Sequence, residues 1–131
     1  MITKITPDKQ KARALIKMAE ITLERLEKTD REAYPSNTLV DYYDVIHKLL
    51  EAIALKEGSK AKGEGAHQEL IDYIAKQQNI NEQNRQFLQQ LRDYRNRISY
   101  EGFMVNQEFI TKNHQRIKTI IDLLRRLNEE R

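Results

Sequence analysis

Apolar residues recur along this chain at intervals of three and four almost from end to end, the spacing that gives a helix one buried stripe. Ala12, Leu15, Ile16, Ala19, Leu23 and Leu26 trace the first stripe, and Leu39, Tyr42, Tyr43, Ile46, Leu50 and Ile53 the second. His67, Leu70 and Ile74 mark a short third helix; Phe87, Leu91, Tyr94 and Ile98 mark a fourth. Phe109, Ile110, Ile117, Ile120, Leu124 and Leu127 mark a fifth. Local chemistry supplies the boundaries. Thr6 is an acceptable N-cap with Pro7 at the first helical position, so the first helix is expected to run from there to about Thr29. Pro35 and Ser36 precede the second helix, and Gly58 ends it after Glu57. Asn79-Ile80-Asn81 turns the chain from the third helix, ending about Gln78, into the fourth, and Asn106 caps the fifth. The prediction is one all-α domain over residues 1–131, an antiparallel up-and-down bundle of four long helices plus one short helix.

Composition narrows the class. With 131 residues there is room for one core, and 39% hydrophobic with 33% charged residues suits a helical domain in water. No apolar run approaches the roughly 20 residues that span a bilayer, and residues 1–10 lack the apolar centre of a secretion signal, so no membrane partner and a cytoplasmic location are expected. The absence of cysteine excludes disulfides and thiolate metal sites. His47, His67 and His114 show neither His-x-x-x-His nor Glu-x-x-His spacing, so no metal site and no cofactor are expected. Gly58-Ser59-Lys60-Ala61-Lys62-Gly63-Glu64-Gly65 is the one glycine-rich stretch. It has Glu64-Gly65 where a phosphate-binding P-loop needs Lys-Ser or Lys-Thr, and reads as a flexible connection.

The net charge of +3 is too small for a general polyanion binder, but its distribution is uneven. Residues 32–57 carry five acids against two bases and residues 85–97 four arginines against one aspartate, which sets a basic patch beside an acidic helix. The patch belongs to the densest chemistry in the chain, residues 91–103. At 100° per residue Arg95 projects between Leu88 and Leu91, toward the core or an interface. A guanidinium held there cannot shed its charge and requires a carboxylate, a helix C-terminus or a phosphate. Arg92, Asn96 and Ser99 share the adjoining polar stripe and Tyr100 lies near the helix end. Asp44, at the edge of the second helix's apolar face and near His47, is the carboxylate expected to orient an arginine from another helix; Asp41, one turn earlier, competes with it. An internal ion pair and a phosphate site both remain open on this geometry.

Arg95-Asn96-Arg97-Ile98-Ser99-Tyr100 resembles the Arg-Asn-x-x-x-His signature of the higher eukaryotes and prokaryotes nucleotide-binding (HEPN) domains, with tyrosine where histidine is usual. The segment from Tyr42 to Ala52 resembles that family's tyrosine-bearing second helix, and Gly65 to Ile71 the start of its third; the order matches across about the whole chain. The resemblance implies a helical domain that serves metal-independent RNA cleavage at a cleft shared by two subunits, often paired with a minimal nucleotidyltransferase as toxin and antitoxin. Arg95 would then bind the scissile phosphate, Asn96 would hold the phosphate or Arg95, and Tyr100 would occupy the histidine's place, with Arg92 and Ser99 at the nucleotide or RNA. A phenol ordinarily titrates near about 10 and imidazole near about 6.5, so tyrosine is a poor substitute as a general base at neutral pH. Whether the chain is an enzyme stays open at this point, and a noncatalytic helical module partnering a nucleotidyltransferase is the alternative. Ala14, Met18 and Ile21 form a second apolar face on the first helix, which together with the shared-cleft habit implies a homodimer.

Overall fold

The computed structural model describes residues 1–129 and is mostly helical, with α1 (Lys9–Glu27), α2 (Pro35–Glu57), α3 (Ala66–Gln77), α4 (Glu82–Glu101) and α5 (Gln107–Glu129). A small antiparallel sheet joins β1 (Ile2–Lys4) to β2 (Ser59–Ala61). α2 is the centre of the arrangement, packing against α1, α3, α4 and α5. Its predicted inner face, Leu39, Tyr42, Tyr43, Ile46, Leu50 and Ile53, is buried, and so are Val45, Leu49, Ala52 and Leu55 on its other sides. A narrow polar strip, Asp41, Asp44, Lys48 and Glu51, stays partly exposed, and the neighbouring helices wall in most of α2. The other helices bury single stripes against it: Ala12, Ala19 and Leu26 from α1, Phe87, Leu88 and Leu91 from α4, and Ile110, Ile117 and Leu124 from α5.

Two expectations need correction. α1 begins at Lys9 rather than after Thr6, and its cap is Asp8, whose Oδ1 accepts from the Lys11 N–H at 3.0 Å. The cause lies in the preceding residues, which are committed elsewhere: the Ile5 N–H bonds the Gly58 carbonyl (2.8 Å) and the Asp8 N–H bonds the Leu55 carbonyl (3.0 Å). The chain stays tied to the end of α2 until those bonds are made. The glycine-rich stretch is likewise not simply a flexible connection. Ser59–Ala61 pairs with Ile2–Lys4 in the register Ile2 to Ala61, Thr3 to Lys60 and Lys4 to Ser59. Gly58, at φ +86°, turns the chain out of α2 into this strand, and an added Cβ there would lie 2.7 Å from the Ile5 carbonyl oxygen, so only glycine fits.

The remaining caps follow the local chemistry. Asn81 accepts from the Asn84 N–H (2.8 Å) at the start of α4, and Asn106 from the Phe109 N–H (2.9 Å) at the start of α5. α4 ends at Gly102, φ +72°, after which the Phe103 N–H returns to the Arg97 carbonyl (3.1 Å). That turn folds the Phe103 ring back over Tyr94 and under the Arg97 guanidinium, 4.1 Å from its centroid. The outer face of α1 stays open, with Met18 49% and Ile21 50% exposed. No helix among the described residues is long and apolar enough to cross a membrane.

Candidate functional site

Arg95 leaves α4 partly buried, and its Nη1 donates to Asn96 Oδ1 at 3.2 Å. Its guanidinium lies 6.0 Å from the centroid of the Tyr100 ring, which is 77% exposed at the end of the helix. Ser99 is exposed beside it. The carboxylates expected to orient Arg95 are engaged elsewhere: Asp44 bridges Lys48 (2.5 Å) one turn along α2, and Asp41 bridges Arg25 (2.7 Å) of α1. Asp44 and Asp41 were plausible from spacing because helical period places them at the right height, but not which neighbouring helix each will face. Among the described residues neither Arg92 nor Arg95 forms an ion pair with a carboxylate.

Arg92 is held by an amide relay instead. Its Nε donates to Gln89 Oε1 (2.7 Å), and Gln89 Nε2 donates in turn to the Gln68 carbonyl (3.0 Å) and to Asp72 Oδ1 (3.1 Å) of α3. The relay ties α4 to the first turns of α3. That end of α3 has glycine, Gly65, at its N-cap and no side-chain cap, and the first N–H, of Ala66, returns to the Gly63 carbonyl (3.2 Å).

His67 stands in that first turn and stacks on His47 of α2, with centroids 3.9 Å apart and an interplanar angle of 21°. Tyr43, one turn before His47, completes the group with its ring centroid 6.3 Å from each imidazole. The electrostatics of the three groups tell where the arginine charges fall. Burial pushes the Tyr43 phenol up to about 12, opposed by the positive charges of Arg92 and Arg95. Burial pushes His47 down to about 4, with His67, Lys48 and Arg95 adding to the depression and Asp44 opposing it. His67 is lowered by burial, then by Arg95 and Arg92, against Glu51. Both imidazoles are therefore neutral at pH 7 and Tyr43 keeps its proton. The Tyr43 hydroxyl and His47 Nδ1 are buried and find no hydrogen-bond partner among the described residues. Orphaned polar atoms of this kind are costly in a folded interior and need an account.

His47 and His67 also line a pocket of about 140 Å³ with Glu51, Ser59 and Lys60. No group of three metal-binding side chains occurs among the described residues. A second groove, about 300 Å³ between α1 and α5, holds Glu20, Glu24, Glu27 and Asp122, but Arg125 spans it with bonds of 2.8 and 3.0 Å to Glu20, matching charge internally.

Sequence reasoning placed the arginines and missed the histidine stack. His67 reads as a packing residue at a helix start and His47 as a neighbour of Asp44. The single local signal was the Tyr43–His47 interval of one helical turn; the pairing of His47 with His67 arises only when α3 docks on α2. Set against known protein families, curated proteins and solved structures, the chain finds no match.

Proposed function

We propose that this chain is a HEPN-like helical domain that binds a phosphate of a nucleotide or of RNA through Arg95 and Asn96, with Arg92 and Tyr100 supporting. The observation that carries this reading is the pair of partly buried arginines, both without a carboxylate partner among the described residues, whose charges bear on two partly buried imidazoles and a buried phenol. Such an arrangement has an excess of positive potential and donors to spare, which an anion would satisfy. In this reading the helices run up and down as an antiparallel bundle, the protein works in the cytoplasm, and two copies meet to share the cleft. The resemblance supplies metal-independent endoribonuclease or toxin–antitoxin chemistry as the activity. Tyr100, where that family has histidine, favours a weakened form of it. The same tyrosine, 77% exposed, favours the second reading, a noncatalytic module that docks a minimal nucleotidyltransferase.

The test is Arg95→Ala together with Tyr100→His. Arg95→Ala is expected to weaken binding of a short RNA by about tenfold or more, the worth of one charge-assisted contact, while shifting the unfolding midpoint little. Tyr100→His is expected to create or raise cleavage in the presence of a chelator, since imidazole exchanges protons near neutral pH. RNA binding unchanged by Arg95→Ala, alongside a large loss of stability, would establish a structural arginine and overturn the proposal.

A further inference from the structure

Two arginines that the phosphate reading does not use stand on another side of α4. Arg97 follows Arg95 by two residues, about 200° of helical turn, so the two side chains leave α4 on nearly opposite sides. Gln83, Gln90 and Arg97 recur at intervals of seven and share a side. There α4 and α5 enclose a groove of about 680 Å³ lined by Gln83, Asn84, Gln86, Phe87, Gln90 and Arg116, a lining without a carboxylate. Arg116, exposed on α5, sits over the buried Phe87 ring 4.0 Å from its centroid, and its Nη2 donates to the Gln83 carbonyl at 3.2 Å. Further along α4, Arg97 repeats the arrangement 4.1 Å over Phe103, with the Tyr94 centroid at 6.0 Å. Arg116 forms no ion pair with a carboxylate among the described residues, and Arg97 only a long one of 3.9 Å to Asp93.

A guanidinium held against one ring keeps its opposite face for another planar group, and nucleobases stack on that face. Phe87 and Tyr94, beside the two stacks, are seven residues and about 10 Å apart along α4, about three steps of a strand at ~3.4 Å per nucleotide. The groove itself presents amides, which both donate and accept as base edges do. Gln86 Nε2 donates to Glu82 (3.2 Å), an acid already held by Arg85 (2.8 Å), and Gln90 Nε2 donates to the Tyr94 hydroxyl (3.4 Å). The side chains of Gln83 and Asn84 make no hydrogen bond among the described residues. We infer that this face of α4 and α5 is a track for the unpaired bases of a single-stranded nucleic acid, which stack on Arg116 and Arg97 and turn their edges to Gln83, Asn84, Gln86 and Gln90. A duplex offers the same arginines only its phosphates, since its bases are already stacked on one another. The track stands apart from the Arg95 site and does not depend on it.

The test is fluorescence anisotropy of a short labelled single strand, in RNA and in DNA form, against a blunt duplex of the same sequence at one salt concentration. The single strand is expected to bind at least about tenfold more tightly than the duplex. Arg116→Lys and Arg97→Lys keep the charge and lose the plane, so each should weaken the single strand about fivefold or more and the duplex less than about twofold. Native circular dichroism of both variants is checked first. Whichever of the RNA and DNA forms binds the tighter names the strand, and either supports the track. Lysine variants that hold the single strand as the wild type does would leave charge alone at work and overturn it, as would equal affinity for single strand and duplex. Arg95→Ala separates the two sites: if it alone weakens binding, the track falls and the phosphate reading stands, and if only the Arg97 and Arg116 variants do so, the reverse holds.

Discussion

Lowering the pH should destabilise this protein through His47 in particular. In the folded chain His47 is pushed down to about 4, chiefly by burial, then by His67, Lys48 and Arg95 against the opposing charge of Asp44. In the unfolded chain it returns to the ordinary value of about 6.5. The unfolded state therefore binds more protons across that window, and stability rises with pH through it. The contribution is fully present above about 6.5, is lost progressively as pH falls, and is gone below the folded value. Between pH 7.5 and pH 5.0 the linkage amounts to about 2 kcal/mol, a sizeable share of the roughly 5–15 kcal/mol that holds a domain of this size together. The assay is urea unfolding at those two pH values for the wild type and for His47→Phe, which keeps a stackable ring and removes the titration. His67 and His114, both also lowered by burial, act in the same direction and remain in both proteins, so the difference between the two isolates His47. The wild type is expected to lose about 2 kcal/mol more than the variant on acidification. Equal losses would show that His47 ionises as freely in the folded chain as in the unfolded one, and would refute the account of the stack as a pair of partly buried neutral rings.

Two further predictions concern architecture. Gly58→Ala should cost at least twice what Gly102→Ala costs in urea unfolding: both positions lie at positive φ, worth about 1 kcal/mol against alanine, but a Cβ at Gly58 also meets the Ile5 carbonyl oxygen at 2.7 Å while one at Gly102 meets nothing within 4 Å. Equal costs would mean that β1 yields easily. On assembly, light scattering at high micromolar concentration is expected to give twice the 15.6 kDa chain mass and to return to the monomer for Met18→Asp with Ile21→Asp; a monomeric wild type would sink the shared cleft.

Helix existence was legible because each helix buries a face against α2, so the 3.6-residue period survives in the sequence. The C-terminal stop at Gly58, the turn at Asn79–Asn81 and the cap at Asn106 were legible for a similar reason, since each satisfies backbone groups within a few residues; that Asn81 itself caps α4 was not read. What escaped was everything decided by residues distant in the chain. β1 is three residues long and pairs with residues nearly sixty positions later, too short to show alternation and too far to show a hairpin turn. Its capture of residues 2–5 is what moved the start of α1 from Thr6 to Asp8. The burial of Leu49 and Ala52 escaped because a single stripe presupposes a wide solvent side, and α2 keeps a narrow polar strip at Asp41, Asp44, Lys48 and Glu51. The candidate site divided along the same line. Arg92, Arg95 and Asn96 sit on one helix and declare themselves by spacing, whereas His47 and His67 come from two helices and are brought to 3.9 Å by packing alone.

The encirclement of α2 also sets an order of events at the ribosome. Residues 35–57 leave the exit tunnel when only α1 is there to cover them, while α4 and α5, which bury Phe87, Leu88, Leu91, Ile117 and Leu124 against the same helix, are synthesised last. At about 5–20 residues per second, α2 spends several seconds with its later partners unmade and its apolar sides facing water. A nascent chain stopped before residue 82 still exposes the sides of α2 that α4 and α5 cover in the finished fold. α4 precedes α5, so the arginine-bearing helix docks on a core that only α5 completes.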